Sequence, residues 1–294
     1  MFAIIGIVIV IGAILGGYLM EKGPLLVLLQ PSELLIIGGA AIGTLLIANP
    51  LGTVISLLKG MAGLISGSKY TQAYYLEGLK MLNDLFMFAR KAGLPKLEGD
   101  IDDPEKSAVF TKYPKFLADH HAVAFVCDTL RMFISAGVDP FDLDQMMDLD
   151  LEVHHHEAGE PTAALTSMAD SLPGLGIVAA VLGIVITMGA LGGPPEEIGH
   201  KVASSLVGTF LGILLCYGFV GPIAANLTKV SEAQSRYYQF LRVGILAFMK
   251  GSSPITAVEF ARRSIPSHLR PSFKEMEGAC RGEKGAATAP AAAA

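Results

Sequence analysis

Charged side chains are scarce in this sequence, at 17% of 294 residues, against roughly 25% in a soluble globular chain. The deficit is concentrated in four places. No Asp, Glu, Lys or Arg occurs in residues 1–20, 34–58, 172–195 or 202–228. Each run is long enough for the roughly 20 apolar residues that carry a helix across a bilayer. None alternates as a barrel strand does, which leaves helices as the spanning structure. The expected fold is therefore an all-α integral membrane protein, with four transmembrane helices and a helical cytoplasmic domain. The first run has no basic segment before it and its apolar core exceeds that of a signal peptide, so it is read as a retained span.

Other absences narrow the function. Cys127, Cys216 and Cys280 are far apart and show neither metal-ligand spacing nor a disulfide framework. Net charge is −5 with no basic excess, which argues against a nucleic-acid partner. No phosphate loop, nucleophile elbow or catalytic triad pattern is present, so neither an enzyme nor a cofactor is expected. His154, His155 and His156 are consecutive and point about 100° apart on a helix, which suits a solvated face better than one metal ion. The four runs also hold no histidine, and hence no ionisable acid or base of the kind that proton relays in membranes use. Either the chain moves no ions, or a partner brings the carboxylate.

The rest of the chain is organised around these runs. Residues 1–58 form the first pair of spans (about 1–20 and 34–58) with a short periplasmic loop. Residues 59–170 form a cytoplasmic helical domain, and 171–228 the second pair of spans. Residues 229–281 form cytoplasmic C-terminal helices, and 282–294 an Ala-rich tail expected to be disordered. Among the basic residues only Lys22 and Lys201 fall in the short loops, so the large domain, the tail and both termini are expected in the cytoplasm. Residues 59–170 carry 10 basic and 18 acidic residues, net −8, and 229–294 carry 10 and 5, net +5. The two arms either pack on each other or present ordinary solvated faces.

Within 59–170 an amphipathic stretch over 69–92 stops at Gly93, Asp103-Pro104 reads as the start of a short helix, and 116–136 continues as helix to Gly137. Asp139-Pro140 opens another helix that runs toward the third span. A mixed-sign bend lies between Arg90 and Asp103, suited either to a salt-sensitive protein contact or to a solvated corner. Gly12/Gly16, Gly39/Gly43 and Gly208/Gly212 are four apart, as are Gly176/Ala180 and Ala179/Gly183, a spacing that lets helices approach closely. Thr187, Ser205 and Thr209 place hydroxyls in the second pair of spans, either along a water-filled path or bonded to their own backbone. Pro173 reads as the first helical residue of the third span, and Pro222 as a kink late in the fourth. They are either a hinge at one membrane level or one ordinary helix start and one ordinary kink.

Longer motifs turn these fragments into a pattern: GGYLM at 16–20, QPSEL at 30–34, SKYT at 68–71, LEGDIDDP at 97–104, DSLPGLGIVAAVLGIV at 170–185, VGTFLGILLCYGFVGP at 207–222, AVEFARR at 257–263 and RPSF at 270–273. Over almost its whole length the chain resembles the MotA family of flagellar stator proteins, within the wider MotA/TolQ/ExbB proton channel family. The resemblance implies a pentamer of this chain around a dimer of MotB, in the bacterial inner membrane. MotB would supply the titrating Asp and a peptidoglycan anchor, and torque would act on the rotor protein FliG. By the same resemblance Pro173, Ala180, Thr209 and Pro222 belong to the ion path. Arg90 and Glu98 match the charged pair that contacts the rotor, and Asp150 an acidic position in the following helix. Gly99 stands where relatives can carry Arg, which thins the basic side of that contact. The stretch 177–181 (Ile-Val-Ala-Ala-Val) offers no side-chain oxygen to a sodium ion shedding water, so protons are the expected coupling ion. The alternatives are a sodium-driven stator and a TolQ/ExbB-type energiser; the latter has three spans.

Overall fold

The structure is a computed structural model that describes residues 2–64, 67–189 and 192–282. Residues 283–294, most of the expected disordered tail, lie outside the described residues. All regular elements among the described residues are helical. They are α1 (Phe2–Met20), α2 (Leu25–Leu28), α3 (Pro31–Ala48), α4 (Leu51–Leu64), α5 (Gln72–Ala92), α6 (Leu94–Asp102), α7 (Pro114–Leu117), α8 (His120–Ser135), α9 (Pro140–Met188), α10 (Pro195–Ile213), α11 (Gly221–Met249), α12 (Pro254–Ser264) and α13 (Phe273–Arg281). A 3-10 turn spans Phe110–Lys112, and a π-helical segment, Leu214–Val220, joins α10 to α11. Four helices are long and apolar enough to cross a membrane: Ala3–Met20, Leu25–Ala48 (which takes in α2 and α3), and stretches within Pro140–Met188 and Pro195–Met249.

The chain divides into two compact units. The first comprises Met1–Gly67 and His156–Ser231. Much of its surface is apolar: Val8, Ile9, Leu35, Ile47, Val185 and Ile186 are exposed, as lipid-facing side chains of a spanning bundle are. Two small clusters are buried. Ile37 and Ala41 of α3 pack with Ala169, Leu172 and Ala179 of α9 and with Cys216. Leu57 of α4 packs with Leu165 of α9 and with Ala224 and Leu227 of α11.

The second span differs from the expected 34–58. Its helix starts at Pro31 and ends at Ala48, and α4 begins separately at Leu51. The break falls at Asn49-Pro50, where Asn49 is extended (φ −132°, ψ 145°). Proline has no N–H and pushes the residue before it out of the helical region. The absence of charge from 34 to 58 concealed this stop. The third span also departs from expectation. Pro173 does not begin a helix; it lies inside α9, as Pro161 does. Each proline removes one hydrogen bond to the carbonyl four residues back, and the turns on either side carry the helix through.

The second unit comprises Ser68–His155 and Glu232–Ala294. Its core is aromatic. Tyr70, Tyr74 and Tyr75 meet Tyr237 with ring centroids 4.8–5.5 Å apart, and Phe86 stacks on Phe248 at 4.3 Å. Burial pushes the Tyr74 and Tyr75 phenols up to about 12, so both stay neutral. Asp119 is buried at the start of α8. Its carboxylate accepts from Lys69 Nζ at 2.7 Å, from the Tyr238 hydroxyl at 3.3 Å and from the Ala122 N–H at 3.4 Å. That cap divides the expected helix over 116–136 into α7 and α8. No helix opens at Asp103-Pro104 either; a helix, α6, instead occupies the segment read as a bend. Gly93 (φ +88°) both ends α5 and precedes it, and Pro95 takes a first-turn position of α6 where no N–H is needed. Asp139 does open α9, accepting from the Phe141 N–H at 2.7 Å.

The acidic and basic arms meet at Arg242. Its guanidinium donates to Asp144 at 2.7 Å and also pairs with Asp148. Arg242→Ala is expected to lower the stability of this unit by about 1–3 kcal/mol, because the forked charge-assisted bonds of a mostly buried guanidinium are lost; thermal unfolding of the solubilised chain checks this. On α12, hydrogen bonds from Arg262 and Arg263 hold the Glu259 carboxyl down at about 2, against the opposing effect of burial. A depressed carboxylate stabilises the fold above its unfolded value of 4.5 and loses that contribution as pH falls toward about 2. Glu259→Gln is therefore expected to flatten the melting temperature's dependence on pH across that window.

Candidate functional site

The site begins with the absence of side chains where α9 crosses α10. A methyl group added at Gly176 would stand 2.8 Å from the Gly208 carbonyl oxygen and 3.0 Å from Gly212 Cα. One added at Gly212 would meet the Leu172 carbonyl oxygen at 2.6 Å. The two backbones touch, which only glycine allows here. Further along, a methyl at Gly183 would collide with Ser205 Oγ. The small-residue spacing of α9 and α10 is thus used within the chain. Gly12, Gly16, Gly39 and Gly43 have no neighbour within 4 Å of such a methyl.

Ala180 is buried beside this crossing and Thr209 is half-buried one residue after Gly208. The other hydroxyls serve their own helices: Ser205 donates to the Lys201 carbonyl at 2.9 Å and Thr187 to the Gly183 carbonyl at 2.8 Å. On the bonds they make, these two are helix hydroxyls rather than lining of a path.

Pro222 follows the π-helical segment directly. The Gly221 N–H donates to the Cys216 carbonyl, five residues back instead of four. In a regular helix the Pro222 ring would press on the Gly218 carbonyl; the wider π turn makes room, and the chain continues as α11. Pro222 is exposed and lines a cleft of about 390 Å³ with Asp170, Thr166, Tyr217 and Thr228. Pro173 lies three residues past Asp170 on the same helix, half-buried and outside that lining. Asp170 received no role from the sequence. Its cue was available, since it is the last acidic residue before a charge-free run.

A second carboxylate was misplaced altogether. Glu33 was assigned to a loop, but it sits in the first turn of α3, within the span Leu25–Ala48, and is only 6% exposed. Contrary to expectation, the second span therefore holds a carboxylate. The cause is the shifted span: a rule that ends each span at the nearest charge excludes Glu33 by construction.

The three residues assigned to the rotor contact lie in the second unit. Arg90 is exposed in the last turn of α5, where a cation suits the helix dipole. Glu98 is half-buried on α6 and accepts from Ser135 Oγ at 2.7 Å. Asp150 is exposed on α9 and lines a cleft of about 160 Å³ with His121, Asp128 and His154. No Arg90–Glu98 ion pair occurs among the described residues. His154 lies 3.0 Å from Gln234 Nε2 and 4.7 Å from the Tyr238 ring, and His155 lies 2.9 Å from Ser235 Oγ. The histidine run is thus only in part a solvated face, and no group of side chains fit to hold a metal is found among the described residues.

Comparison with known proteins decides between the branches of the family. Residues 4–93 match the model for the motility protein A N-terminal region, and 118–239 match the MotA/TolQ/ExbB proton channel family. Motility protein A of Escherichia coli is 42% identical over 94% of both chains. The chain belongs to the motility protein A family. The chemotaxis protein LafT of Vibrio parahaemolyticus is 33% identical, over 93% of this chain and 96% of its own. The fold matches the structure of C. jejuni MotAB (TM-score 0.74, 18% identity, 90% of this chain and 95% of that one). It also matches the flagellar MotAB stator complex from Bacillus subtilis (TM-score 0.73, 22% identity, 92% and 98%). As a member of that family with four apolar helices, the chain is a multi-pass membrane protein of the inner membrane and a motor stator protein. Gly176→Val is expected to prevent the α9–α10 contact and deplete the protein from membranes several-fold, whereas Gly16→Val leaves folding of the single chain intact; immunoblots of membrane fractions compare the two.

Proposed function

We propose that this chain is the larger subunit of a proton-driven flagellar stator, working with a MotB-type partner and turning a FliG-type rotor protein. The observation that carries the reading is the α9–α10 crossing: two backbones in contact, with Ala180 and Thr209 beside it and, past the end of α10, a cleft lined by α9, the π segment and α11 around Pro222. The arrangement proposed is a pentamer around a partner dimer embedded in lipid, with both termini cytoplasmic. The partner's carboxylate would titrate beside Ala180 and Thr209. Discharging that carboxylate removes a charge from a low-dielectric site and changes which packing of the helices is favoured. Each elementary charge crossing the membrane supplies about 2.3 kcal/mol per 100 mV. Pro173 and the π turn before Pro222 are places where α9 and the α10–α11 helix lack regular backbone bonds, which suits them to bend. Arg90, Glu98 and Asp150 then carry the motion to the rotor. No cofactor and no catalytic chemistry are called for.

Protons are favoured over sodium because 177–181 supplies no side-chain oxygen; Ala179 and Ala180 are buried there and the rest is hydrocarbon. Deleting the gene should leave filaments that are built but do not rotate, with rotation restored by a plasmid copy. Normal swimming in the deletion strain would refute the reading. Pro222→Ala should stop rotation while the complex still co-purifies with its partner. Loss of assembly would make that proline structural only.

A further inference from the structure

The carboxylate of Glu33 has no role in the reading above, and its surroundings are unusual. Glu33 stands on α3, which is neither of the two helices assigned to the ion path. Its side chain nevertheless lies over the crossing of those two helices. A methyl group at Gly208 would be 2.5 Å from Glu33 Oε2, 3.1 Å from the Ala180 backbone nitrogen and 3.2 Å from Ala179 Cβ. The glycine therefore opens a slot in α10, and Glu33 fills it. The side chain is 6% exposed and Oε2 is enclosed with no hydrogen-bond partner among the described residues. The position of α3 is not accidental. One turn before Glu33, Gln30 Nε2 donates to Ser204 Oγ of α10 at 2.9 Å and to the Val27 carbonyl at 3.0 Å, tying the start of α3 to the middle of α10.

No ion pair to this carboxylate occurs among the described residues. Glu33 is the only charged residue of α3, and α1 and α2 carry none. On α10 the charged or titratable residues are Glu196, Glu197, His200 and Lys201, and Lys201 is paired with Glu197 at 3.0 Å. Lys201 lies seven residues before Gly208, about 10 Å along the helix axis. On α9 the nearest acid, Asp170, is ten residues from Ala180, about 15 Å away along the axis. An ionised, unpaired carboxylate enclosed at this depth is costly, whereas a protonated one is tolerated.

We propose that Glu33 is a proton-holding station of the ion path, admitted to it through the slot at Gly208. The carboxylate takes a proton from water at the outer end of α3 and α10, forming the neutral acid. It releases that proton to a base standing beside Ala180 at the α9–α10 crossing and returns to the carboxylate. Under the stator reading, on which this inference rests, that base is the partner's carboxylate. A carboxylate kept only for packing would be replaceable by its amide; a proton carrier is not.

The experiment uses cells lacking their own copy that express the full chain with its partner. Wild type, Glu33→Gln and Glu33→Asp are compared for co-purification with the partner and for rotation speed over a range of external pH. In parallel, the unaltered complex is treated in membranes with dicyclohexylcarbodiimide, which modifies protonated carboxyls in apolar surroundings, and the modified peptides are mapped. Expected are normal assembly of E33Q with rotation slowed by about tenfold or more, partial recovery in E33D, and modification of Glu33 that declines as external pH rises. E33Q rotating at wild-type speed at every pH overturns the proposal. Where E33Q fails to assemble, the labelling decides, and an unmodified Glu33 at every pH overturns it. Failure of the wild-type chain itself to restore rotation would sink the stator reading instead, and the labelling would still report on Glu33.

Discussion

Contact between the backbones of α9 and α10 is the constraint on which the membrane unit depends. Helices in lipid gain little from hiding apolar surface, because the solvent is as apolar as they are; they gain from close approach. At Gly176, Gly208 and Gly212 the approach reaches the limit, since no side chain separates the two helices. The rest of the unit follows from that contact. It brings Ser205 against Gly183, sets Ala180 and Thr209 at one level, and leaves at Gly208 a gap that α3 fills with Glu33. A larger residue at any of these glycines would part the helices by the thickness of a side chain and dissolve the arrangement.

The prolines show how differently one residue acts in different surroundings. Pro161 and Pro173 sit inside α9, where flanking turns hold the helix and the local cost is a missing hydrogen bond each. Pro222 follows a π segment whose wider turn accepts the ring, and the chain runs on into α11. Pro50 ends a helix outright. A proline in a sequence therefore marks a weak point in the ladder of backbone bonds, and its neighbours determine whether that point is a stop, a bend or a continuous helix.

The second unit is held by a different chemistry. Its aromatic core is closed by polar groups that are paired with care: Asp119 receives Lys69, Tyr238 and a helix N-terminus, and Arg242 joins the acidic start of α9 to α11. These pairs give the charge difference between the two arms a physical meaning. Net charge indicated an attraction between the arms; one arginine with two aspartates on a single helix face made it a contact.

Composition and spacing were enough to determine an all-helical membrane protein with four spans, the capping glycines at 93 and 137, the Asp139 helix start and the tight-packing face of α9 and α10. These features are local: each depends on the transfer cost of a run of residues or on the backbone freedom of one residue. The course of α9 through Pro173, the π turn before Pro222 and the burial of Glu33 were decided only by tertiary structure. Each depends on what stands opposite in space. A lone carboxylate reads as the end of a span because water is its default solvent, and it enters the bundle only because a glycine on another helix, 175 residues away, leaves room for it.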